Sequence, residues 1–146
     1  MITNITESNF DDYVNIKIHP SNVEELNVVT GIEPGLCLAM LWEVSKNKTS
    51  VFVKGKLICL FGIVPPHNFW LLFSDGITKL PLSFFKESRK VVKTLHQQYG
   101  FIDGYIYIKN EFALKWAKFI GWNIDDPAPQ GKYNKLCYHF YCGKES

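Results

Sequence analysis

The sequence predicts a mixed α/β domain, and three observations carry that expectation. Residues 105–122 read as a strand running straight into a helix. Tyr105, Ile106, Tyr107 and Ile108 are β-branched or aromatic, while Phe112, Ala113, Trp116, Phe119 and Ile120 recur at the three-and-four spacing of one helical face. Residues 49–74 hold three strand-like runs with tight connections, the signature of an antiparallel meander. Between these two regions lies a long amphipathic helix, so the strand before it and the strand after it are expected to be adjacent and parallel. The predicted architecture is a mixed sheet of six to seven strands with an N-terminal antiparallel meander, a parallel pair in its middle, and about four helices.

Taken in order, residues 15–18 read as a first strand. Pro20 and Ser21 then open a helix, with Ser21 and Glu24 at capping-box spacing and Gly31 as its stop. Residues 36–44 are apolar around almost the whole helical wheel, which predicts a helix buried on most sides. Residues 49–53 and 57–64 flank Lys54-Gly55-Lys56 as a hairpin, Pro65 and Pro66 break the pairing, and residues 69–74 make the next strand. Ser74-Asp75-Gly76 turns the chain out. The long helix, residues 81–99, places Phe84, Phe85, Val91, Val92, Leu95 and Tyr99 on one face and Lys86, Arg89, Lys90 and Lys93 largely on the other; Gly100 stops it. Asn110 is the expected N-cap and Gly121 the expected C-terminal stop of the next helix. Residues 125–131 read as a polar loop, and residues 136–142 as a closing strand rich in aromatics.

With 146 residues and 47% hydrophobic content the chain can bury one core, and a single domain over residues 1–146 is expected. No apolar run reaches bilayer length, and the polar start lacks the pattern of a signal peptide. Sixteen basic residues against fourteen acidic ones leave a net charge of +2, and Arg89 is the only arginine. That balance argues against nucleic-acid recognition, which favours arginine forks and a basic excess. Cys37 and Cys59 stand far apart, and Cys137 and Cys142 are spaced to opposite faces of a strand, so neither a zinc site nor a disulfide framework is expected.

The element order resembles the GNAT superfamily of acyl-CoA-dependent N-acyltransferases. In that family the fifth strand ends in Asn, an Ala follows three residues later, and Gly-Phe ends the next helix. Here Asn110, Ala113, Gly121 and Trp122 stand at those places, Trp122 for the Phe. Within the superfamily, Thr30-Gly-Ile-Glu-Pro34, Phe69-Trp-Leu-Leu-Phe-Ser-Asp75, Phe85 with Ser88 and Arg89, and Lys109-Asn110 leading to Lys118-Phe-Ile-Gly121 are similar to small GNAT-like proteins of short-tailed phages (podophages), which are encoded with the internal core proteins of the virion. The resemblance spans about residues 14–142. It implies an acyl-CoA arm between the strands at 69–73 and 105–108, with Leu72, Phe73, Asp75, Gly76, Asn110 and Trp116 as candidate cofactor contacts, no metal, and other virion proteins or further copies of the chain as partners. The implied location is the virion or the cytoplasm of the infected host.

Two departures weaken the catalytic expectation. The loop that cradles the cofactor pyrophosphate in the family is here Ser74-Asp-Gly-Ile-Thr-Lys-Leu-Pro81, with a carboxylate, one glycine and a proline that lacks an N–H. The family's usual general acid, a Tyr seven residues after the motif Asn, falls on Ala117, and the strand at 69–73 carries no carboxylate to act as base. No catalytic residue is therefore assigned. The expected function is a structural or assembly component of a phage particle, in its internal core, portal or tail region, with a degenerate acyl-CoA site. The alternative is a working N-acetyltransferase that uses acetyl-CoA on a host protein or small amine.

Each candidate also has a plainer role. Asp75 fits ordinary turn chemistry and Asn110 an N-cap. His67 and His139 have no partner visible in the sequence and read as structural or solvated, and the Lys86, Arg89, Lys90 and Lys93 face reads as solvated. Cys37 and Cys59 sit among apolar neighbours that disfavour a thiolate.

Overall fold

The computed structural model describes residues 3–77 and 80–144. Its first strand, β1 (Thr3–Glu7), precedes a short helix α1 (Phe10–Asn15), which Asn9 and Asp12 close with a reciprocal capping box. Neither element was expected. Residues 15–18 instead leave α1 and make only an isolated bridge, Ile18 opposite Ser74. The reason is visible in β1: Thr-Asn-Ile-Thr-Glu has one apolar side chain, too little for an apolar-alternation signal, yet enough for an edge strand pairing with one neighbour.

Helix α2 (Pro20–Glu25) runs into a π-helical turn over Leu26–Thr30 and ends at Gly31, whose φ of 70° suits glycine. Its N-cap is His19 rather than Ser21. The His19 Nδ1 accepts from the Ser21 backbone N–H at 3.1 Å, so the expected Ser21–Glu24 box is not made. Helix α3 (Pro34–Val44) buries Cys37 and Leu38 but leaves Leu36, Met40 and Val44 exposed, contrary to the expectation of burial on most sides.

Strands β2 (Lys46–Val53), β3 (Lys56–Val64) and β4 (Asn68–Phe73) form the expected meander, with Lys54 and Gly55 in the hairpin turn. Helix α4 (Leu82–Tyr99) then crosses to β5 (Phe101–Tyr107), which lies beside β4 and parallel to it. Helix α5 (Glu111–Ile120) follows, capped by the Asn110 side chain accepting from Ala113 N–H and stopped by left-handed Gly121. A short strand β6 (Asn123–Ile124) comes just before the expected polar loop and β7 (Ala128–Gln130) lies within it, both paired with β8 (Lys135–Gly143). Their sequences are too short and polar to carry a strand period, and β8 supplies the template.

One sheet of eight strands results, in the order β1-β2-β3-β4-β5-β8-β6 with β7 on β8, and five α-helices are present among the described residues. It is the predicted mixed α/β architecture with more short strands at its margins. The main core packs α4 and α5 against one face. Trp116 stacks on Phe69 with ring centroids 5.2 Å apart, Trp122 stacks on Phe140 at 4.8 Å, and Phe84 and Phe73 are wholly buried beside them. A second, smaller cluster of Tyr13, Leu38, Leu60 and Leu72 lies under α1 and α3 on the other face.

Candidate functional site

The sheet opens between β4 and β5. Their pairing is confined to Asn68 opposite Asp103, and Gly104 sits where they begin to part. A Cβ there would come within 2.6 Å of the Phe69 carbonyl oxygen and the Phe140 ring, so only glycine permits this approach. Beyond that point the strands diverge, and an apolar cavity of about 340 Å³ lies in the opening. Leu71 and Leu72 line it from β4, Tyr105 and Ile106 from β5, Ala113 and Trp116 from α5, and Met40, Leu41 and Val44 from α3.

Towards the far ends of the two strands the opening is filled by the chain itself. His19 N–H donates to the Phe73 carbonyl at 2.8 Å. Asn22, wholly buried on α2, accepts from Phe73 N–H at 2.8 Å and donates to the Leu71 carbonyl at 3.4 Å. One turn on, Glu25 accepts from the Tyr107 N–H on β5 at 2.8 Å and from Asn110 Nδ2 at 3.2 Å, while Asn22 Nδ2 lies 3.4 Å from its other oxygen. Helix α2 thus satisfies the facing edges of both strands, which no strand-to-strand bond reaches. Burial pushes the Glu25 carboxyl up to about 7, against the hydrogen bonds from Tyr107, Asn110 and Asn22, which lower it.

The sequence candidates divide accordingly. Leu72 and Trp116 line the cavity, although the Trp116 indole N–H is directed to Ser88 Oγ at 3.0 Å. Phe73 turns its ring into the main core and its backbone to α2. Asn110, almost fully buried, caps α5 and holds Glu25, so both its side-chain ends are engaged. Asp75 and Gly76 are not brought to this place. They border a separate depression with Asp11, Asp12 and Asn15, and Asp75 N–H is bonded to the Lys17 carbonyl at 2.7 Å. Thr78 and Lys79 of the same loop lie outside the described residues. Ala117 is wholly buried in the main core and does not border the cavity.

The residues present do not offer an open strand edge to an acyl-CoA arm. Such an arm would have to displace Asn22 and Glu25 from the backbone groups of Leu71, Phe73 and Tyr107. Sequence reasoning missed this arrangement because α2 lies about fifty residues from β4 and more than eighty from β5; two polar residues on an otherwise ordinary helix were the only trace.

It also missed the partners of the histidines. Asp103, nearly buried, stands between His67 Nδ1 at 2.8 Å and His139 Nε2 at 2.9 Å, with Asp125 3.4 Å from His139 Nδ1. Arg89, expected in solvent, donates to the Phe119 carbonyl at 2.6 Å and lies over the Phe119 ring, tying α4 to the end of α5. Cys37, Cys59 and Cys137 are buried free thiols whose ionisation burial disfavours, and Cys142 is half-buried. Among the described residues no group of His, Cys, Asp or Glu side chains is placed to share a metal ion, and no helix is long and apolar enough to cross a membrane.

The eight-stranded sheet with its parallel, diverging β4 and β5 can be set beside solved structures. The spermidine N-acetyltransferase from Vibrio cholerae in complex with CoA and spermine superposes with a TM-score of 0.65 at 11% identity, over 96% of this chain and 94% of that one. An acetyltransferase of the GNAT family from Bacillus anthracis gives 0.65 at 12% identity, covering 100% and 97%. A ribosomal-protein alanine acetyltransferase from Vibrio fischeri gives 0.64 at 14%, covering 99% and 94%. The chain has the GNAT acetyltransferase fold. No family model matches the sequence, and no curated protein matches it. At these identities the likeness to the GNAT structures establishes architecture, and the chemistry has to be argued from the opening between β4 and β5.

Proposed function

We propose that this chain is a GNAT-fold protein without acyltransferase activity, serving as a structural or assembly component of a phage particle, with other virion proteins as its partners. The observation that carries the loss of activity is the occupation of the β4–β5 opening by Asn22 and Glu25. The strand-edge groups facing an acyl-CoA arm already have internal partners, and releasing a buried one costs about 1–3 kcal/mol. Two further features support it: Ala117 replaces the family's acid, and the Trp116 N–H is committed to Ser88. The virion context rests on the sequence motifs alone.

A second reading, an active N-acetyltransferase with acetyl-CoA as cofactor, is favoured by one observation. An apolar cavity with a half-buried carboxyl pushed up to about 7 by desolvation is the environment in which enzymes place a general base. Acetyl transfer from acetyl-CoA to a panel of amines, including a polyamine and a peptide with N-terminal alanine, separates the two. The proposed reading expects no turnover from the parent and none from Ala117→Tyr, whose side chain would enter the main core. Turnover by the parent would establish the enzyme. Recovery of the chain from purified particles of the encoding phage tests the virion half, and its absence from particles and from their assembly intermediates would refute that half.

A further inference from the structure

Five of the nine exposed large hydrophobic side chains among the described residues lie on two neighbouring helices: Phe10 and Val14 on α1, and Leu36, Met40 and Val44 on α3. The α3 residues recur every fourth position and form a single ridge, with Ala39 exposed beside it. Met40 and Val44 also border the cavity between β4 and β5, with exposed Tyr105 across it, and a contiguous ridge of this kind calls for an explanation that single exposed residues do not. Its surroundings indicate what covers it. Exposed Glu33 stands at the start of α3, where its carboxylate caps the helix by accepting from the Gly35 and Leu36 N–H groups while remaining open to solvent, and exposed Lys46 lies just beyond the end of the helix. Glu43 is the only charge on the exposed face of the helix itself.

We infer that this ridge is a self-association surface, with α3 of one copy packing antiparallel on α3 of a second copy about a two-fold axis passing near Ala39 and Met40. That arrangement sets Glu33 of each copy opposite Lys46 of the other. At about 16 Å, α3 is short enough for both ends to be matched at once. The two-fold relation makes the contact closed and self-complementary, so it yields a dimer and not a fibre. A lipid surface would call for a basic rim, and a rim acidic at one end and basic at the other suits a second copy instead.

Sedimentation equilibrium over a concentration series, at low and high salt, reads the inference. The parent, 16.8 kDa as one chain, is expected to sediment at twice that mass at the upper concentrations. Met40→Asp places a charge at the axis on an exposed position and is expected to give monomer with an unchanged circular dichroism spectrum. Lys46→Glu is expected to raise the dissociation constant about tenfold, in line with a like-charge pair at each end. Mixing Lys46→Glu with Glu33→Lys restores both opposite-charge pairs and should recover the dimer. A parent that stays monomeric at every concentration would overturn the inference. So would a dimer indifferent to Met40→Asp, or a mixture that fails to associate although both variants are folded.

Discussion

On the face of the sheet covered by α4 and α5, Phe61, Phe69, Phe73, Phe84, Trp116 and Phe140 meet in one continuous apolar core, while the opposite face encloses only Tyr13, Leu38, Leu60 and Leu72 as its buried apolar cluster. That second face also holds the buried Asn22, the half-buried Glu25, the Asp103 cluster and the exposed ridge of α3, while the cavity lies between the two, lined by Leu72 and Met40 from this side and by Ala113 and Trp116 from the other. The first face is close-packed around its aromatic rings. Polar side chains doing work that β-pairing does elsewhere hold the second together. In a fold that solved acetyltransferase structures share, the supporting half is built of generic core, and the half around the opening is where this chain shows its own character.

The comparison can be broken most forcibly from the packed side. Trp116→Ala removes a wholly buried ring stacked on Phe69 and leaves Ser88 without its indole donor, and a loss of about 3–5 kcal/mol in unfolding free energy is expected by denaturant titration. A loss under about 1 kcal/mol would mean that this face is not the rigid half.

On the other face, Glu25 makes stability depend on pH in an uncommon direction. Its carboxyl is raised from an ordinary value of 4.5 to about 7 on folding, so between those values the folded chain holds a proton that the unfolded chain has released. The contribution is therefore fully present below about 4.5 and is lost as pH rises to about 7, by an amount on the order of 3 kcal/mol. Glu25→Gln keeps an acceptor for Tyr107 and should abolish that decline when the two stability–pH curves are subtracted. Identical curves would show that the carboxyl is not held as described.

The smallest expected effect is at Asn22. Asn22→Ala leaves the Phe73 N–H and Leu71 carbonyl without their partner and should cost about 1–3 kcal/mol. Hydrogen exchange at Phe73, whose N–H is held by Asn22, should quicken more than at Phe61, which lies in the same core on β3. Equal changes at both would show that Asn22 does not hold the β4 edge.

Much of the packed side was legible in the sequence. Asn110 and Gly121 mark the ends of α5, the Lys54-Gly55 turn marks the hairpin, and the period of Phe84, Phe85, Val92 and Leu95 marks α4, because these signals are local. The opposite side was read poorly because its contacts are not local. Glu25 meets β5 more than eighty residues away, and Asp103 gathers two histidines each thirty-six residues distant. Helix α3 was misread for a different reason: an apolar wheel predicts that a helix will be covered, without saying that the same chain covers it. The resemblance carried the candidates Asp75 and Gly76 to the turn after β4, where they border a depression with Asp11, Asp12 and Asn15 and not the opening.

The central claim, that helix α2 has taken the place of a cofactor arm between β4 and β5, is tested most directly by titrating acetyl-CoA into the parent protein and following the melting temperature. If Asn22 and Glu25 close the opening, no saturable shift appears up to about 1 mM ligand. Tight binding would instead stabilise the fold by about 2.7 kcal/mol at a hundredfold excess over the dissociation constant, and a saturable rise of that size would contradict the account.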